Sequence, residues 1–155
     1  MAFLAWLSAS PVGEWVSGST WVYPGLLFVH TLGLGILVGL NSALGLRLLG
    51  FAPQVPVADL EPLFPYMWAG FWVNAVSGSV LFVADAPKKA ANPSFMVKLV
   101  LIALAVVVMR ALRREAFGRT GGVTGRAKLL AATSLALWAG AITAGRLMAY
   151  TSALK

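Results

Sequence analysis

The sequence predicts an all-α membrane protein: a four-helix transmembrane bundle with N-terminal amphipathic helices that lie in the membrane interface. The 155-residue chain is 59% hydrophobic and only 11% charged. Its length allows one compact domain, 1–155, and leaves no room for a soluble catalytic domain. A helix of about 20 apolar residues crosses a bilayer core. Four apolar runs of about this length each hold at most one charged residue, at 25–49, 64–84, 93–109 and 129–150.

Residues 1–22 are too short and too often interrupted by polar residues to span a membrane. Aromatic side chains such as Trp6 and Trp15 are interspersed with serines and Glu14. This pattern is typical of helices that lie in the interface with one face in the headgroup region. We therefore predict two short amphipathic helices in this segment.

Turn and cap residues separate the four predicted spans. Pro24 starts the first span, because proline is tolerated in the first helical turn. The 50–63 connection contains three prolines and is expected to be extended or rich in turns. The 85–92 connection is short, and Asn92 at its end can cap the third span.

The last connection, 110–128, is predicted to be a basic loop that sets the orientation of the bundle. It holds six basic residues against one acid, and Gly121-Gly122 marks a flexible tip. Lysine and arginine are retained on the cytoplasmic side of a membrane. In the resulting topology, seven basic residues lie on the inner side and five on the outer side. We predict a multi-pass protein of the cell inner membrane with this loop in the cytoplasm and both termini outside.

Composition excludes several classes of function. Cysteine is absent, which excludes disulfides, thiolate metal sites and cysteine nucleophiles. His30 is the single histidine, so one chain cannot form a multi-histidine metal cage. The net charge of +7 is concentrated in 110–128, where topology and anionic headgroups explain it better than nucleic acid does. The predicted partners are therefore the lipid bilayer and other protein subunits, or further copies of the chain.

Four ionisable residues fall at similar depth near the outer surface, one at each span. A helix rises about 1.5 Å per residue, which places His30 and Lys98 about 7 Å below the ends of their spans. Arg146 lies about 6 Å below the end of its span, and Asp85 lies at the rim of the second. Ionisable residues in a membrane are energetically unfavourable and usually face the bundle interior. We therefore predict that these four side chains converge there.

This outer cluster allows two interpretations. In the structural one, Asp85 forms an ion pair with Arg146 or Lys98, and the two cations reach towards the outer headgroups. In the functional one, His30 is a ligand or proton carrier. Lys98 and Arg146 then hold the negative charge of an anionic or redox-active group. The cofactor-binding set in that case is His30, Asp85, Lys98 and Arg146.

The neighbours of His30 add two hypotheses. Gly35-xxx-Gly39 lets another helix approach closely, and glycine one turn from a histidine also leaves room for a flat macrocycle. Met96 and Met148 lie at the depth of His30, and one histidine with two thioethers suits Cu(I). Methionine is also an ordinary filler of gaps between helices. Copper therefore ranks below heme b among the cofactors considered.

The other polar residues within the spans are interpreted as structural. Asn41 in the first span, and Asn74 and Ser77 in the second, are expected to form hydrogen bonds between helices. Trp138 lies mid-span, where packing against other helices explains it. No glycine-rich phosphate loop, metalloprotease motif or catalytic triad is present.

Nearly the whole chain carries a pattern of short motifs. They are Trp21-Val-Tyr-Pro24 and His30-Thr-Leu-Gly-Leu-Gly-Ile-Leu-Val-Gly39, then Trp68-Ala-Gly-Phe71 and Asp85-Ala86, then Asn92-Pro-Ser-Phe95 and Lys98, and finally Gly145-Arg146-Leu-Met-Ala-Tyr150. The pattern resembles small bacterial four-helix membrane proteins grouped as a domain of unknown function and, more loosely, copper-resistance membrane proteins. The resemblance implies the four-span fold and carries no established activity. Members of that family often have a second histidine where this chain has Arg113, which argues against heme held by two histidines here.

We predict a non-enzymatic accessory subunit that packs against a larger membrane complex of redox type, or self-associates, through its glycine faces. The first alternative is a membrane redox protein that binds heme or a quinone through His30. The second is a copper-handling permease that uses His30, Met96 and Met148. An absorbance spectrum and metal analysis of the purified protein distinguish the three.

Overall fold

The computed structural model of the chain describes residues 2–118 and 122–153, in which every regular element is a helix. Two short helices, α1 (Ala2–Ser8) and α2 (Pro11–Gly18), precede the long helix α3 (Val22–Leu49). A 3-10 helix (Val57–Leu63) leads directly into α4 (Phe64–Val83). The remaining elements are the short α5 (Ala86–Ala90), α6 (Pro93–Phe117) and α7 (Gly125–Ala153).

Four segments of the described chain are long and apolar enough to cross a membrane. They are Val22–Leu49, Val57–Val83, Pro93–Phe117 and Gly125–Met148. The third has the highest mean hydropathy, 2.5, and contains the uninterrupted apolar run 99–109. The predicted all-α class and four-helix architecture are confirmed.

The four long helices pack in the order α4, α3, α7, α6. Helix α3 lies against both α4 and α7, and α6 lies against α7. Aromatic pairs bridge α4 and α6 at both ends. Phe64 meets Phe117 edge-on, with ring centroids 5.7 Å apart, and Phe82 stacks on Phe95 at 5.2 Å. The helices therefore enclose an interior to which all four contribute.

The interior is apolar and is filled mainly by leucine, methionine and alanine. Trp138 is only 2% exposed, which agrees with its predicted packing role. One buried hydrogen bond crosses this region, from Ser134 Oγ of α7 to Asn41 Oδ1 of α3 at 3.1 Å. The buried cluster comprises Leu37, Leu44, Leu48, Phe64, Met67, Ala105, Met109, Leu112, Ala131 and Trp138.

Glycines bring α3 and α4 into backbone contact, but they are not the glycines that the sequence singled out. A Cβ atom on Gly70 would lie 2.9 Å from the carbonyl oxygen of Gly33, and one on Gly33 would lie 3.0 Å from that of Gly70. Gly35 and Gly39 are exposed, with nothing within 4 Å of a Cβ atom on either. The crossing within the chain therefore uses Gly33 and Gly70, because these two face each other across the helix pair.

The N-terminal segment forms two helices, as predicted for residues 1–22. Ser10 caps α2 by accepting a hydrogen bond from the Gly13 backbone amide at 3.3 Å. Helix α2 packs against α3 and α4 with Val16 fully buried, and α1 packs against α5. Their aromatic side chains point outwards instead, since Trp6 and Trp15 are 66% and 61% exposed. The two helices therefore cover the end of the bundle at which α3 begins.

All three connections are more helical than the sequence suggested: 50–63, expected to be extended or rich in turns, contains the 3-10 helix Val57–Leu63. The 85–92 connection contains α5, and the predicted capping of α6 is confirmed, because Asn92 Oδ1 accepts from the Ser94 amide at 3.0 Å. The predicted basic loop 110–128 is largely helix, since α6 runs on to Phe117 and α7 begins at Gly125. No glycine or proline interrupts α6 before Gly118, so the helix continues beyond its apolar run. Gly121 of the predicted tip lies outside the described residues.

Candidate functional site

His30 is held by a hydrogen bond that defines which ring nitrogen carries its proton. Its Nδ1 lies 3.1 Å from Ser77 Oγ of α4. The Ser77 hydroxyl donates its own hydrogen to the Val73 carbonyl oxygen at 2.6 Å, as serine in a helix commonly does. The Ser77 oxygen therefore accepts from His30, so Nδ1 carries the hydrogen. In the neutral ring this leaves Nε2 with its lone pair, the state of a histidine that binds a metal or accepts a proton.

Helix α4 presents a polar niche to this histidine. Asn74 Nδ2 donates to the backbone carbonyl oxygen of His30 at 2.8 Å. A Cβ atom on Gly78 would lie 2.9 Å from His30 Cε1, so only glycine lets the ring lie this close to α4. Asn74, Ser77 and Gly78 share one helix face because they are spaced by three and four residues. The predicted interhelical hydrogen bonds of Asn74 and Ser77 are confirmed.

Two lysine side chains, Lys98 of α6 and Lys89 of α5, lie near enough to His30 to act on it electrostatically. The Lys98 side chain lies along α7, where a Cβ atom on Gly145 would be 3.6 Å from its Nζ. Lys89 donates to the Leu81 carbonyl oxygen in the last turn of α4, and its amine lies 6.0 Å from the centre of the Tyr23 ring. The site thus combines one imidazole with two cations from separate helices.

Asp85 and Arg146 occupy different surroundings from those expected for the outer cluster. Within the described residues Asp85 forms an ion pair with Lys88, whose Nζ lies 4.0 Å from Asp85 Oδ1, and both side chains are exposed. Arg146 is exposed, although it follows Gly145, on which Lys98 lies. Asp85 directly precedes α5, whose first turn brings Lys88 within ion-pair distance of it, three residues on. His30 and Lys98 are the predicted pair that the fold brings together.

The environment of Lys89 is unusual for a residue outside the membrane spans. Burial lowers the pKa of its amine; nearby Asp85 opposes this effect and the Lys98 cation adds to it. No periodicity in the sequence identifies a turn as short as α5, so the sequence alone does not single out Lys89 in the 85–92 connection. Its one sequence signal is the pair Lys88-Lys89 directly after a proline that can start a helix.

The proposed copper ligands lie on two further helices. Met96, on α6, is 49% exposed, and Met148, on α7, is partly buried. In the described part of the chain, no three or more histidine, cysteine, aspartate or glutamate side chains group closely enough to hold a metal ion. Any metal here would therefore depend on His30 with thioether or exogenous ligands.

A second polar group lies deeper in the bundle. Besides the bond between Ser134 and Asn41, two buried donors have no hydrogen-bond partner in residues 2–118 and 122–153: Asn41 Nδ2 and Trp138 Nε1. A buried donor without a partner is unfavourable, so this group adds specificity to the packing at some expense in stability.

Comparison of the chain with family models, with curated proteins and with solved structures finds no match.

Proposed function

We propose that this membrane protein is a non-enzymatic subunit that binds another transmembrane helix through the outer face of α3. The observation that carries the proposal is the open face at Gly35 and Gly39, where no atom of residues 2–118 and 122–153 would lie within 4 Å of an added Cβ atom. Glycines four residues apart form a shallow groove, and such grooves are where membrane helices approach each other closely.

The glycines of α3 fall into two sets, one that packs inside the bundle and one that faces outwards. Gly33 and Gly45 face the interior, where a Cβ atom would meet Gly70 and Leu135 respectively. Gly35 and Gly39 face away from it, beside Leu32 and Ile36, which are 53% and 41% exposed. Glycine in a helix destabilises it by about 0.5–1 kcal/mol relative to alanine. Because Gly35 and Gly39 pack against nothing in the described residues, contact with a partner helix explains them best.

The partner is an apolar transmembrane helix, either of another subunit or of a second copy of this chain. No charged residue lies on α3 between its start and Arg47, so van der Waals contact and close backbone approach would carry the association. A membrane redox complex is the favoured setting, because the same helix carries His30 with its Nε2 lone pair available.

Association in native membranes tests the proposal. Gly35→Leu and Gly39→Leu should abolish co-purification of partner subunits or self-crosslinking in mild detergent, while the melting temperature of the isolated chain stays unchanged. Gly25→Leu is the matched control, since Gly25 lies on the same helix and also has open space around it. Unchanged association in both face variants would refute the proposal.

A second candidate function is supported by the tautomer of the neutral His30 ring, with hydrogen on Nδ1 and a lone pair on Nε2. The bond from Nδ1 to Ser77 leaves Nε2 suited to be the single protein ligand of heme b or a hydrogen-bond partner of a quinone. Lys98 and Lys89 supply positive charge for the carboxylates or oxygens of such a group. Because Arg113 stands where the family that the sequence resembles often has a second histidine, a bis-histidine heme is not part of this candidate.

Spectroscopy of the purified protein separates these functions. A Soret band that His30→Ala removes, with the helical content retained, would establish heme binding. Stoichiometric copper lost on changing His30 or Met148 would establish the copper-handling alternative. If His30→Ala loses stability without any spectral change, the subunit function is the one that remains.

A further inference from the structure

A basic cleft lies at the opposite end of the bundle from His30. It has a volume of about 440 Å³ and opens between the first turns of α4 and the last turns of α6. Arg110, Arg113 and Arg114 line one side, and Glu61 of the 3-10 helix lies on the other. The cleft shares no residue with the niche of His30 or with the outer face of α3.

The cleft follows from the unexpected continuation of α6. Because the helix extends past its apolar run to Phe117, residues 110, 113 and 114 occupy one face at spacings of three and four. That face is turned towards α4, where Phe117 packs edge-on against Phe64. Three guanidinium groups are thereby gathered at the level where apolar helix gives way to polar chain.

Two of the arginines are held in place by aromatic rings. The guanidinium carbon of Arg110 lies 5.0 Å from the centre of the Trp68 ring, and that of Arg113 lies 5.3 Å from the centre of the Phe64 ring. Stacking on a ring face restricts a long side chain and leaves the edge donors of the guanidinium free. These groups are thus preorganised to form paired hydrogen bonds with an anion.

The charge in the cleft is left uncompensated. Glu61 approaches Arg113 at 3.8 Å, but both side chains are half exposed, so the pair is weak. Three guanidinium groups against one carboxylate leave a net charge of +2 within the cleft. Phe64, Trp68, Met109 and Phe117 complete the lining, so apolar side chains lie next to the charged groups.

We propose that this cleft binds the headgroup phosphate of an anionic phospholipid. Basic pockets between transmembrane helices recognise such headgroups through arginine and hold the glycerol and first methylenes against apolar side chains. A zwitterionic lipid also has a phosphate, but its choline cation would meet the net positive charge of the cleft. The site therefore discriminates by net charge as well as by phosphate.

Native mass spectrometry of the full chain in neutral detergent tests the proposal. After delipidation, the protein is titrated with phosphatidylglycerol and with phosphatidylcholine of identical acyl chains. We expect selective retention of one phosphatidylglycerol. Arg110→Gln with Arg113→Gln should weaken its binding by about 25-fold, at about fivefold for each arginine removed.

A matched pair at the same end of the bundle provides the control. Arg126→Gln with Lys128→Gln removes the same charge from α7, and neither residue lines the cleft. Its binding should stay within about twofold of wild type. Equal weakening in both double variants would show a diffuse surface effect and overturn the proposal, as would equal retention of the two lipids by the wild-type protein.

Competition distinguishes a lipid from a free phosphate. Glycerol 3-phosphate or inorganic phosphate that displaces phosphatidylglycerol at equal concentration would overturn the lipid assignment. Trp68→Leu keeps every charge but removes the stacking of Arg110, so it should weaken binding severalfold. Melting in phosphatidylcholine alone verifies that each variant is folded, and the wild-type comparison stands even if one of them is not.

Discussion

At the scale of single residues, the buried bond between Asn41 and Ser134 shows how a polar pair specifies packing in an apolar bundle. Both side chains are fully buried and belong to different helices. Hydrogen bonds between membrane helices contribute on average about 0.6 kcal/mol. An unpaired polar atom left in the interior is more unfavourable than that contribution suggests.

Removing one partner should therefore destabilise the fold more than removing both. Ser134→Ala is expected to lower the free energy of unfolding by about 1–2 kcal/mol, because Asn41 Oδ1 loses its partner while remaining buried. The double variant Asn41→Leu with Ser134→Ala should lose less unfolding free energy than the sum of the losses in the two single variants. Thermal melts of the three variants in one detergent measure the coupling, and strictly additive effects would contradict it.

Lys89 gives a prediction for pH dependence. Because burial lowers its pKa in the folded state, the unfolded chain binds more protons between that pKa and the ordinary value of 10.5. The free energy of unfolding should therefore rise with pH across this alkaline range. Below the range Lys89 is charged in both states, and the full destabilisation caused by burying its charge is present. Lys89→Met should flatten the rise, whereas Lys88→Met, at an 80% exposed side chain, should leave it intact. Identical profiles for both variants would contradict the assignment.

At the scale of elements, α3 has two glycine faces with different roles. Leucine at Gly33 or alanine at Gly70 would collide with backbone atoms of the partner helix, which must then move apart. We expect Gly70→Ala to destabilise the isolated chain by about 1–3 kcal/mol. Gly35→Ala should be neutral or stabilising by up to about 1 kcal/mol, since it only removes the flexibility of glycine.

Melting of the monomeric chain in detergent compares these two variants directly. A larger loss for Gly35→Ala than for Gly70→Ala would mean that the internal crossing has been assigned to the wrong face of α3. The same measurement on Gly39→Ala provides a second outward position with open space.

The continuation of α6 shows why apolar length underestimates helix length. The predicted span ended at residue 109, where the apolar run ends, yet α6 continues to Phe117. Residues 110–117 are mostly strong helix formers, namely alanine, leucine, arginine and glutamate. Beyond the bilayer, water solvates the charged side chains among them. Hydropathy marks where a helix leaves the membrane, and propensity and capping mark where it ends.

At the scale of the whole molecule, the charge distribution predicts the topology. Arginines of α6 and the basic residues at the start of α7 gather at one end of the bundle, and α1 and α2 cover the other. Positive residues resist translocation, so the basic end should be cytoplasmic and both termini external.

Because the chain lacks cysteine, single-cysteine variants report this orientation without background. Gly122→Cys should resist a membrane-impermeant maleimide in intact cells and react after lysis, while Gly18→Cys should react from outside. Both positions are exposed and free of contacts that a side chain would disturb. The reverse labelling pattern would invert the proposed topology.

The candidate site was predictable in part. Depth along each span placed His30 and Lys98 at one level, and in the fold the Lys98 cation lies near enough to His30 to act on it electrostatically. The same argument put Asp85 with Lys98 or Arg146, whereas its ion pair is with Lys88. Depth along a span predicts only how far a side chain lies from the membrane surface. Which neighbours it meets also depends on the rotation of its helix and on the course of short connections such as α5.

The amino-acid sequence alone determined the membrane class, the four helices, the capping of α6 by Asn92 and the interhelical roles of Asn41, Asn74 and Ser77. These follow from hydropathy, from local chain chemistry and from the poor solvation of polar groups in lipid, all of which can be read along one chain. Tertiary structure alone decided that Gly33 rather than Gly35 packs on α4, that Lys89 lies near His30, and that three arginines form a cleft with α4. Each of these depends on how one helix is rotated against another, and that rotation is set by the summed packing of all four.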